Sequence, residues 1–227
     1  MVTLDNPLAD VKLTSEDKLG SGRWLSLHQI NFVDPSGAPR SWEVCRRTSR
    51  GRSEDASGLP STDAVDVITI IKNRQEQATH IALVVQYRPA MGTYTIEFPS
   101  GLVDANESAS EAALRELEEE VGFSSKLGHQ VNIVKVSDPI AYEPGMTNSC
   151  SQAVVIEVVM EQEQLFGPDS ARKPKLEEDE WSLQVTILPL QGLLKTLREL
   201  QSSAGGHTKL ILDSRLYAWV LGRELGY

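Results

Sequence analysis

Three glutamates, Glu116, Glu119 and Glu120, form the group in this chain with the clearest capacity for chemistry. Their spacing of three and four residues places them on one face of an α-helix. Like charges crowded on one face destabilise a helix by about 0.2–0.5 kcal/mol per pair, so we expect a neutralising partner. Divalent cations that prefer oxygen ligands are natural candidates. An acidic run alone is more often a solvated face, so the surrounding sequence has to decide.

The glutamates belong to a longer pattern of fixed spacing. Gly101 is followed after five residues by Glu107, and after seven more by Arg-Glu-Leu-Glu-Glu-Glu-Val-Gly-Phe at residues 115–123. With residue types used at about 5–7 % each, seven fixed identities at fixed spacings arise by chance about once in 10⁸ positions. The pattern therefore favours a functional site over a solvated acidic face.

A helix has to present these carboxylates, and the sequence marks both of its ends. Ser108 and Glu111 have the spacing of a capping box, and Gly122 stands where a left-handed C-cap would end the helix. At 100° per residue, two small residues share the sector of the three glutamates and leave room above it: Ala109 and Ala112. An adjacent sector is apolar and predicted to pack against a sheet: Leu114, Leu117 and Val121.

Composition limits the class of protein. The 227 residues are 40 % hydrophobic, enough for one domain with a real core, or one domain with a small appendage. A net charge of −10 repels phosphate backbones, so no nucleic-acid partner is expected. Cys45 and Cys150 are distant and predicted to be reduced thiols. Without a leader sequence or a long apolar run, we expect a soluble cytoplasmic protein, with the nucleus as a second compartment and no membrane partner.

The elements that position the glutamates can be predicted along the chain. Residues 1–20 suggest a loosely held arm, and residues 161–180 a polar acidic loop. Alternating or β-branched runs predict strands at residues 24–33, 41–48, 64–72, 80–87, 93–98, 130–136, 152–160 and 181–188, and helical periodicity appears at 190–200 and 213–224. The predicted class is α+β, with residues 1–62 as an N-terminal arm and antiparallel β-hairpin region and residues 63–227 as the main domain.

The pattern from Gly101 to Phe123 resembles the box of the Nudix hydrolases, with no position missing. The resemblance implies the Nudix fold, an α/β/α sandwich around a mixed β-sheet in which the box forms a loop, a helix and a loop. It also implies hydrolysis of a nucleoside diphosphate linked to another moiety. The cofactor that this chemistry calls for is Mg²⁺, with Mn²⁺ as a substitute, because such ions clamp phosphate oxygens and lower the pKa of a bound water.

The resemblance also assigns metal ligands. Glu116 and Glu120, one turn apart, are the first choice, followed by Glu119 and the backbone carbonyl of Ser100. Ser100 replaces the alanine that usually precedes the box glycine, but a backbone ligand should tolerate this change. Mg²⁺ needs only a few protein oxygens, since waters or phosphate oxygens complete its octahedron.

Three residues are predicted to be catalytic: Glu180, Glu119 and Arg115. Glu180 ends the acidic run 177–180, where the resembling enzymes carry a general base; the alternative is a solvated acidic loop. Arg115 is expected to orient one of the glutamates through a bidentate bond. Glu107 is either part of the site or a surface carboxylate stabilised by the helix dipole.

Segments outside the box resemble the ADP-ribose or ADP-sugar pyrophosphatase branch of the family. They lie at residues 42–48, 86–89, 97–101 and 143–148, so the resemblance runs from about residue 24 to 221. A proline downstream of the box marks this branch, and we favour Pro144 over Pro139 because Pro-Gly-Met-Thr-Asn resembles the loop of the branch. The implied reaction converts ADP-ribose into AMP and ribose 5-phosphate.

The branch further implies a homodimer in which two tryptophans from different subunits, Trp24 and Trp42, stack on the adenine. Glu43 is predicted to accept a hydrogen bond from the adenine amino group. Arg47 and Arg88 are predicted to bind phosphate or ribose, and Met146, in the loop after the box, is a further predicted substrate contact. Trp219 is predicted to pack in the core.

Two rival functions stay open at this point. One is a Nudix enzyme for another substrate, such as an oxidised nucleoside triphosphate, GDP-mannose or NADH. The other is an inactive Nudix protein that senses ADP-ribose; it is less favoured, because such proteins usually lose box glutamates and all are present here.

Overall fold

The computed structural model describes residues 10–48, 61–75, 77–160, 165, 174–203 and 209–226. The chain divides into two compact units, one of Met1–Thr62 with Pro139–Ser151 and one of Asp63–Asp138 with Gln152–Tyr227. The strands of the described residues are β1 (Lys12–Ser21), β2 (Leu25–Val33), β3 (Pro39–Arg47), β4 (Ala64–Lys72), β5 (Ala78–Arg88), β6 (Thr93–Glu97), β7 (Ser100–Leu102), β8 (Gln130–Val136), β9 (Ile140–Ala141), β10 (Cys150–Val159), β11 (Gln184–Pro189) and β12 (Leu210–Leu212). Their α-helices are α1 (Ala109–Glu116), α2 (Leu193–Ser203) and α3 (Ser214–Glu224). No helix of these residues is long and apolar enough to cross a membrane.

The first unit contains an antiparallel sheet in the order β1-β2-β3. The turn between β2 and β3 is built on Asp34, whose carboxylate accepts hydrogen bonds from the backbone of Ser36 and Ala38. The expectation of a loose arm up to residue 20 is wrong for the described part, because β1 pairs with β2 from Lys12 to Ser21. This strand was missed because its residues are exposed, so burial imposes no clear apolar alternation on them.

The second unit is built on a mixed sheet. Its main order is β12-β6-β5-β4-β10-β8, with β11 added beside β5 and β7 beside β4. The pair of β12 and β6 is parallel, whereas β5 runs antiparallel to β4, β6 and β11. The predicted mixed sheet is confirmed.

Apolar clusters cover both faces of this sheet. Along β5, Ala82 belongs to the cluster that includes α1, whereas Ile81 and Leu83 belong to the cluster that includes α2 and α3. Because neighbouring side chains on a strand point to opposite faces, α1 lies on one face and α2 and α3 on the other. This is the expected α/β/α arrangement. Trp219 packs edge-to-face on Phe98 in the second cluster, as predicted.

The helix that carries the acidic pattern begins as expected. Ser108 accepts a hydrogen bond from the backbone of Glu111, and the Glu111 carboxylate accepts one from the backbone of Ser108. The α-helix ends at Glu116, however, and residues 117–121 form one π-helical turn that closes on Gly122, whose φ is 83°.

The predicted faces of this helix need correction. Leu114, expected in the core, is 40 % exposed, whereas Ala112, expected to leave room above the glutamates, is fully buried in the core. Leu117 and Val121 are buried as predicted. The side toward the sheet therefore contains both small apolar residues and glutamates, because alanines let the helix approach the sheet closely.

The segment before β11 also differs from expectation. Residues 178–180 form a short 3₁₀ turn, so β11 begins at Gln184 rather than at residue 181. Helix α2 lies about three residues later than predicted, and α3 begins after Asp213, which caps it. Most of the predicted loop at 161–180 lies outside the described residues.

A candidate metal and catalytic site

Three acidic side chains converge in the second unit. Oxygen atoms of Glu116, Glu120 and Glu180 all lie within 4.8 Å of one another. Glu116 ends α1, Glu120 lies in the π-helical turn, and Glu180 ends the 3₁₀ turn before β11. Sequence reasoning named all three, and the fold brings together residues more than sixty positions apart.

Gly101 makes room for one of these carboxylates. A Cβ atom added at residue 101 would lie 1.7 Å from Oε1 of Glu116, far inside any permitted contact. A glycine at this position therefore leaves the space that the Glu116 carboxylate occupies, and a larger residue would displace that carboxylate. The glycine of the sequence pattern thus has a steric role that its spacing alone does not reveal.

The backbone of Ser100 is part of the same site. Its N–H donates a hydrogen bond of 2.9 Å to Oε2 of Glu120. Sequence reasoning proposed its carbonyl as a metal ligand; the contact found here uses the amide instead, and the role of the carbonyl stays a prediction. The hydrogen bond fixes one oxygen of a carboxylate that is otherwise deeply buried.

Burial and mutual repulsion raise the pKa values of Glu116 and Glu120. Burial is the main cause that raises the pKa of Glu116 to about 7, against the opposing effect of Arg115. Burial, reinforced by the charge of Glu116, raises the pKa of Glu120 to about 9. The charge of Glu180 acts in the same direction on both. A nearby cation would reverse this balance by favouring the ionised forms.

Arg115 connects several of the predicted residues. Its Nε and Nη2 donate to the two oxygens of Glu107 at 2.9 and 3.0 Å. Its Nη1 donates to Glu116 at 2.7 Å and to Glu119 at 3.0 Å. The bidentate partner is thus Glu107, and this contact lowers the pKa of Glu107. Glu119 contacts the arginine and is not one of the three clustered carboxylates.

Arg88, predicted to bind substrate, forms a paired bond with Glu97. Its Nε and Nη2 donate to the two carboxylate oxygens at 2.7 and 2.8 Å, and Thr95 also donates to this carboxylate. Among the described residues, Nη1 of Arg88 has no hydrogen-bond partner. Glu97, which was not predicted as a site residue, is buried and holds the Arg88 guanidinium through this paired bond.

The remaining predicted substrate residues lie in the first unit, where all of them are exposed: Trp24, Trp42, Glu43, Arg47 and Met146. Within this unit, Nε1 of Trp42 donates to the carbonyl of Gly145 at 2.9 Å. The backbone N–H of Cys45 donates to the carbonyl of Met146 at 2.8 Å. The fold thus brings the predicted loop after the box beside β3, whereas Trp24 precedes β2 and has Arg23 over its ring.

The three clustered carboxylates fit a divalent metal ion. They supply hard oxygen donors from a nearly buried position, and carboxylate oxygens are the ligands that Mg²⁺ and Mn²⁺ prefer. Among the described residues, Arg115 donates to Glu116 and the charge of Arg88 favours the ionised form of Glu120, so the repulsion within the cluster is partly offset. Such a cluster is stabilised by a cation and is costly without one, because buried like charges need neutralisation.

Comparison with known proteins gives consistent matches. The model of the NUDIX domain matches residues 60–199. The chain is 32 % identical over 212 residues to the ADP-sugar pyrophosphatase of Mus musculus, covering 92 % of this chain and 85 % of the relative. It is 37 % identical over 150 residues to the ADP-ribose pyrophosphatase of Saccharomyces cerevisiae, covering 66 % of this chain and 57 % of that relative.

A solved structure is also similar. The crystal structure of an ADP compounds hydrolase has a TM-score of 0.56 and 18 % sequence identity, covering 88 % of this chain and 99 % of that chain. At this identity the likeness bears on the fold, and it agrees with the mixed sheet covered by helices on both faces.

Proposed function

This chain belongs to the Nudix family, and from that premise we propose that it hydrolyses the diphosphate bond of ADP-ribose and related ADP-sugars. Water adds to one phosphorus, the bridging P–O bond breaks, and AMP and ribose 5-phosphate leave. The observation that carries the proposal is the buried convergence of Glu116, Glu120 and Glu180. The names of the Mus musculus and Saccharomyces cerevisiae relatives support the substrate.

We assign the metal to Glu116 and Glu120, with Glu119 and the Ser100 carbonyl as further ligands. When bound, Mg²⁺, or Mn²⁺ in its place, supplies charge neutralisation on the diphosphate and acidifies water. Glu116 is kept in place by Gly101 and Arg115, and Glu120 by the Ser100 amide. Rigid placement matters because small displacements of catalytic groups cost large factors in rate.

Glu180 is the proposed general base. Its carboxylate lies within reach of the other two, where it can accept the proton of the attacking water. Arg115 holds two of the proposed metal ligands through its hydrogen bonds to Glu116 and Glu119. Arg88 is the proposed phosphate contact, since Glu97 orients its guanidinium and leaves Nη1 for an anion.

The N-terminal residues 1–62 are proposed to bind adenine and to form a homodimer, whereas residues 63–227 perform the hydrolysis. Trp24 and Trp42 stack on the base, and Glu43 accepts a hydrogen bond from its amino group. Arg47 and Met146 complete the substrate contacts. The exposure of both tryptophans supports this, because a core role would bury them. The proposed compartment is the cytoplasm, with the nucleus as a second one.

The test is hydrolysis of a substrate panel in the presence of Mg²⁺, with products separated by chromatography. We expect AMP from ADP-ribose, and the highest kcat/KM for ADP-sugars. A clear preference for nucleoside triphosphates, GDP-mannose or NADH would reject the substrate assignment. Binding of ADP-ribose without turnover would indicate a sensor instead of an enzyme.

A further inference from the structure

Glu118 has a different role from its acidic neighbours. Its carboxylate accepts hydrogen bonds from Lys175 Nζ at 2.6 Å and from Ser124 Oγ at 2.7 Å. Lys126 lies 3.7 Å from the same carboxylate. Glu118 is not one of the three clustered carboxylates and instead contacts the segment that precedes Glu180.

The backbone provides a second link between the same two regions. The carbonyl of Glu119 lies at the end of the helical segment, where carbonyl groups lose their partners within the helix. The N–H of Lys175 donates to this carbonyl at 2.7 Å. Lys175 is therefore joined to the helical segment by its main chain and by its side chain.

The two contacts of Lys175, with the Glu118 carboxylate and the Glu119 carbonyl, form a tether between the helical segment and the residues that precede Glu180. The chain from Lys175 to Glu180 is short enough for this tether to restrict the position of Glu180. Glu180 lies five positions after Lys175 along the chain, a reach of at most about 17 Å when fully extended. The actual path is more compact, because Glu180 accepts a hydrogen bond from the backbone of Glu177 at 2.7 Å and closes the 3₁₀ turn. Fixing Lys175 therefore limits where the carboxylate of Glu180 can go.

We propose that Lys175 is a positioning residue, which with Glu118 fastens the segment carrying Glu180 to the helix that holds the metal ligands. The inference rests on the proposed function, in which Glu180 accepts the proton from water. The tether contacts two residues of the acidic pattern, Glu118 and Glu119. The helix that carries the proposed metal ligands therefore also sets the position of the proposed base.

The expected effect is moderate. The Lys175 side chain is 62 % exposed, and exposed ion pairs contribute little energy each. The backbone hydrogen bond persists when the side chain is changed. We therefore expect loss of the charge to lower kcat about threefold to fivefold, with KM for ADP-ribose nearly unchanged.

The test compares three lysine variants. Lys175→Met removes the charge and keeps the stem, whereas Lys175→Arg keeps the charge and should restore most of the rate. Lys126→Met is the matched control, because Lys126 approaches the same Glu118 carboxylate but lies outside the tethered segment and is 86 % exposed. It should leave kcat unchanged.

A second measurement does not depend on activity. The backbone N–H groups of Glu180 and Leu183 donate to the carbonyls of Glu177 and Glu180, at 3.1 and 2.8 Å, and their hydrogen exchange can be measured without added metal. Lys175→Met should speed their hydrogen exchange, and Lys126→Met should not. The proposal is overturned if Lys175→Met matches the control in both kcat and exchange. If the wild type leaves ADP-ribose intact, the proposed function fails, while the exchange rates still decide on the tether.

Discussion

Glu118 and Glu120 lie two residues apart on the same π-helical turn, yet their surroundings are opposite. Glu118 contacts Lys175 and Ser124, which lower its pKa to about 2. Glu120 is buried near Glu116 and Glu180, and its pKa is raised to about 9. The same residue type is thus an ion-pair partner at one position and, at the other, a buried carboxylate that has no salt bridge with any described residue.

This contrast distinguishes ion-paired glutamates from buried glutamates that can bind a metal, within one acidic run. A carboxylate that already has its cation has little to offer a metal, whereas one held without a cation is poised to bind it. Glu107, paired with Arg115, has a lowered pKa like Glu118, whereas burial raises the pKa of Glu116 although it also contacts Arg115. The direction of the pKa shift therefore distinguishes Glu116 and Glu120, the first two proposed metal ligands, from Glu107 and Glu118.

The largest effect is expected when the buried charge of Glu120 is removed. Glu120→Gln should lower kcat by several orders of magnitude and leave the fold intact, because the side chain can keep its hydrogen bond to Ser100. Steady-state kinetics and circular dichroism check this. Glu118→Gln should cost less than about tenfold. An unfolded Glu120→Gln variant, or similar losses in both, would remove the distinction between the two positions.

A steric change should reach the same site without altering any charge. Gly101→Ala places a Cβ where the Glu116 carboxylate lies, and displacing a catalytic group by about 1 Å can cost on the order of a hundredfold in rate. The matched control is Gly222→Ala in α3, where an added Cβ meets no atom within 4 Å. It should keep full activity. Equal activity of both variants would show that Glu116 needs no exact placement.

A change in the first unit should act on substrate affinity alone. Trp42→Ala should raise KM about tenfold and change kcat little, because stacking acts equally on ground and transition states. Kinetics with ADP-ribose would show it, and Trp219→Phe, in the second core cluster, is the control. A fall in kcat without a change in KM would argue against stacking.

The smallest effect is on the pH dependence of stability. Glu116 and Glu120 have folded pKa values of about 7 and 9, above their ordinary value of 4.5. Between these limits the folded protein binds more protons than the unfolded chain, so metal-free stability falls as pH rises.

Thermal unfolding in a chelator, from pH 5 to pH 9, measures this slope. Glu120→Gln should flatten it, and added Mg²⁺ should restore stability at high pH. A metal-free protein that gains stability steadily toward pH 9 would contradict the raised pKa values.

Sequence reasoning recovered the parts of the fold that carry strong periodicity or fixed spacing. Strand β4 was predicted with its observed bounds because its apolar run is buried throughout, and the capping box of Ser108 marked the helix start. Strand β1 was not predicted because it is exposed. The π-helical turn was not predicted because no local sequence pattern indicates an extra residue per turn.

For the site, the sequence supplied the glutamates but not their partners. Glu107 as the bidentate partner of Arg115, Glu97 beside Arg88, and Lys175 beside Glu118 depend on tertiary contacts. Spacing along the chain cannot show which charges are compensated. The predicted roles of Glu119, Ser100 and the residues of the first unit stay predictions.

The most direct test is binding of Mn²⁺ to the free protein. Binding is measured as the loss of the free-ion signal in electron paramagnetic resonance. The account predicts that wild type and Glu118→Gln bind the ion with affinities within about tenfold of each other, and that Glu120→Gln loses most of the binding. Wild-type affinity in Glu120→Gln, or a larger loss in Glu118→Gln, would contradict the assignment of the buried glutamates as metal ligands.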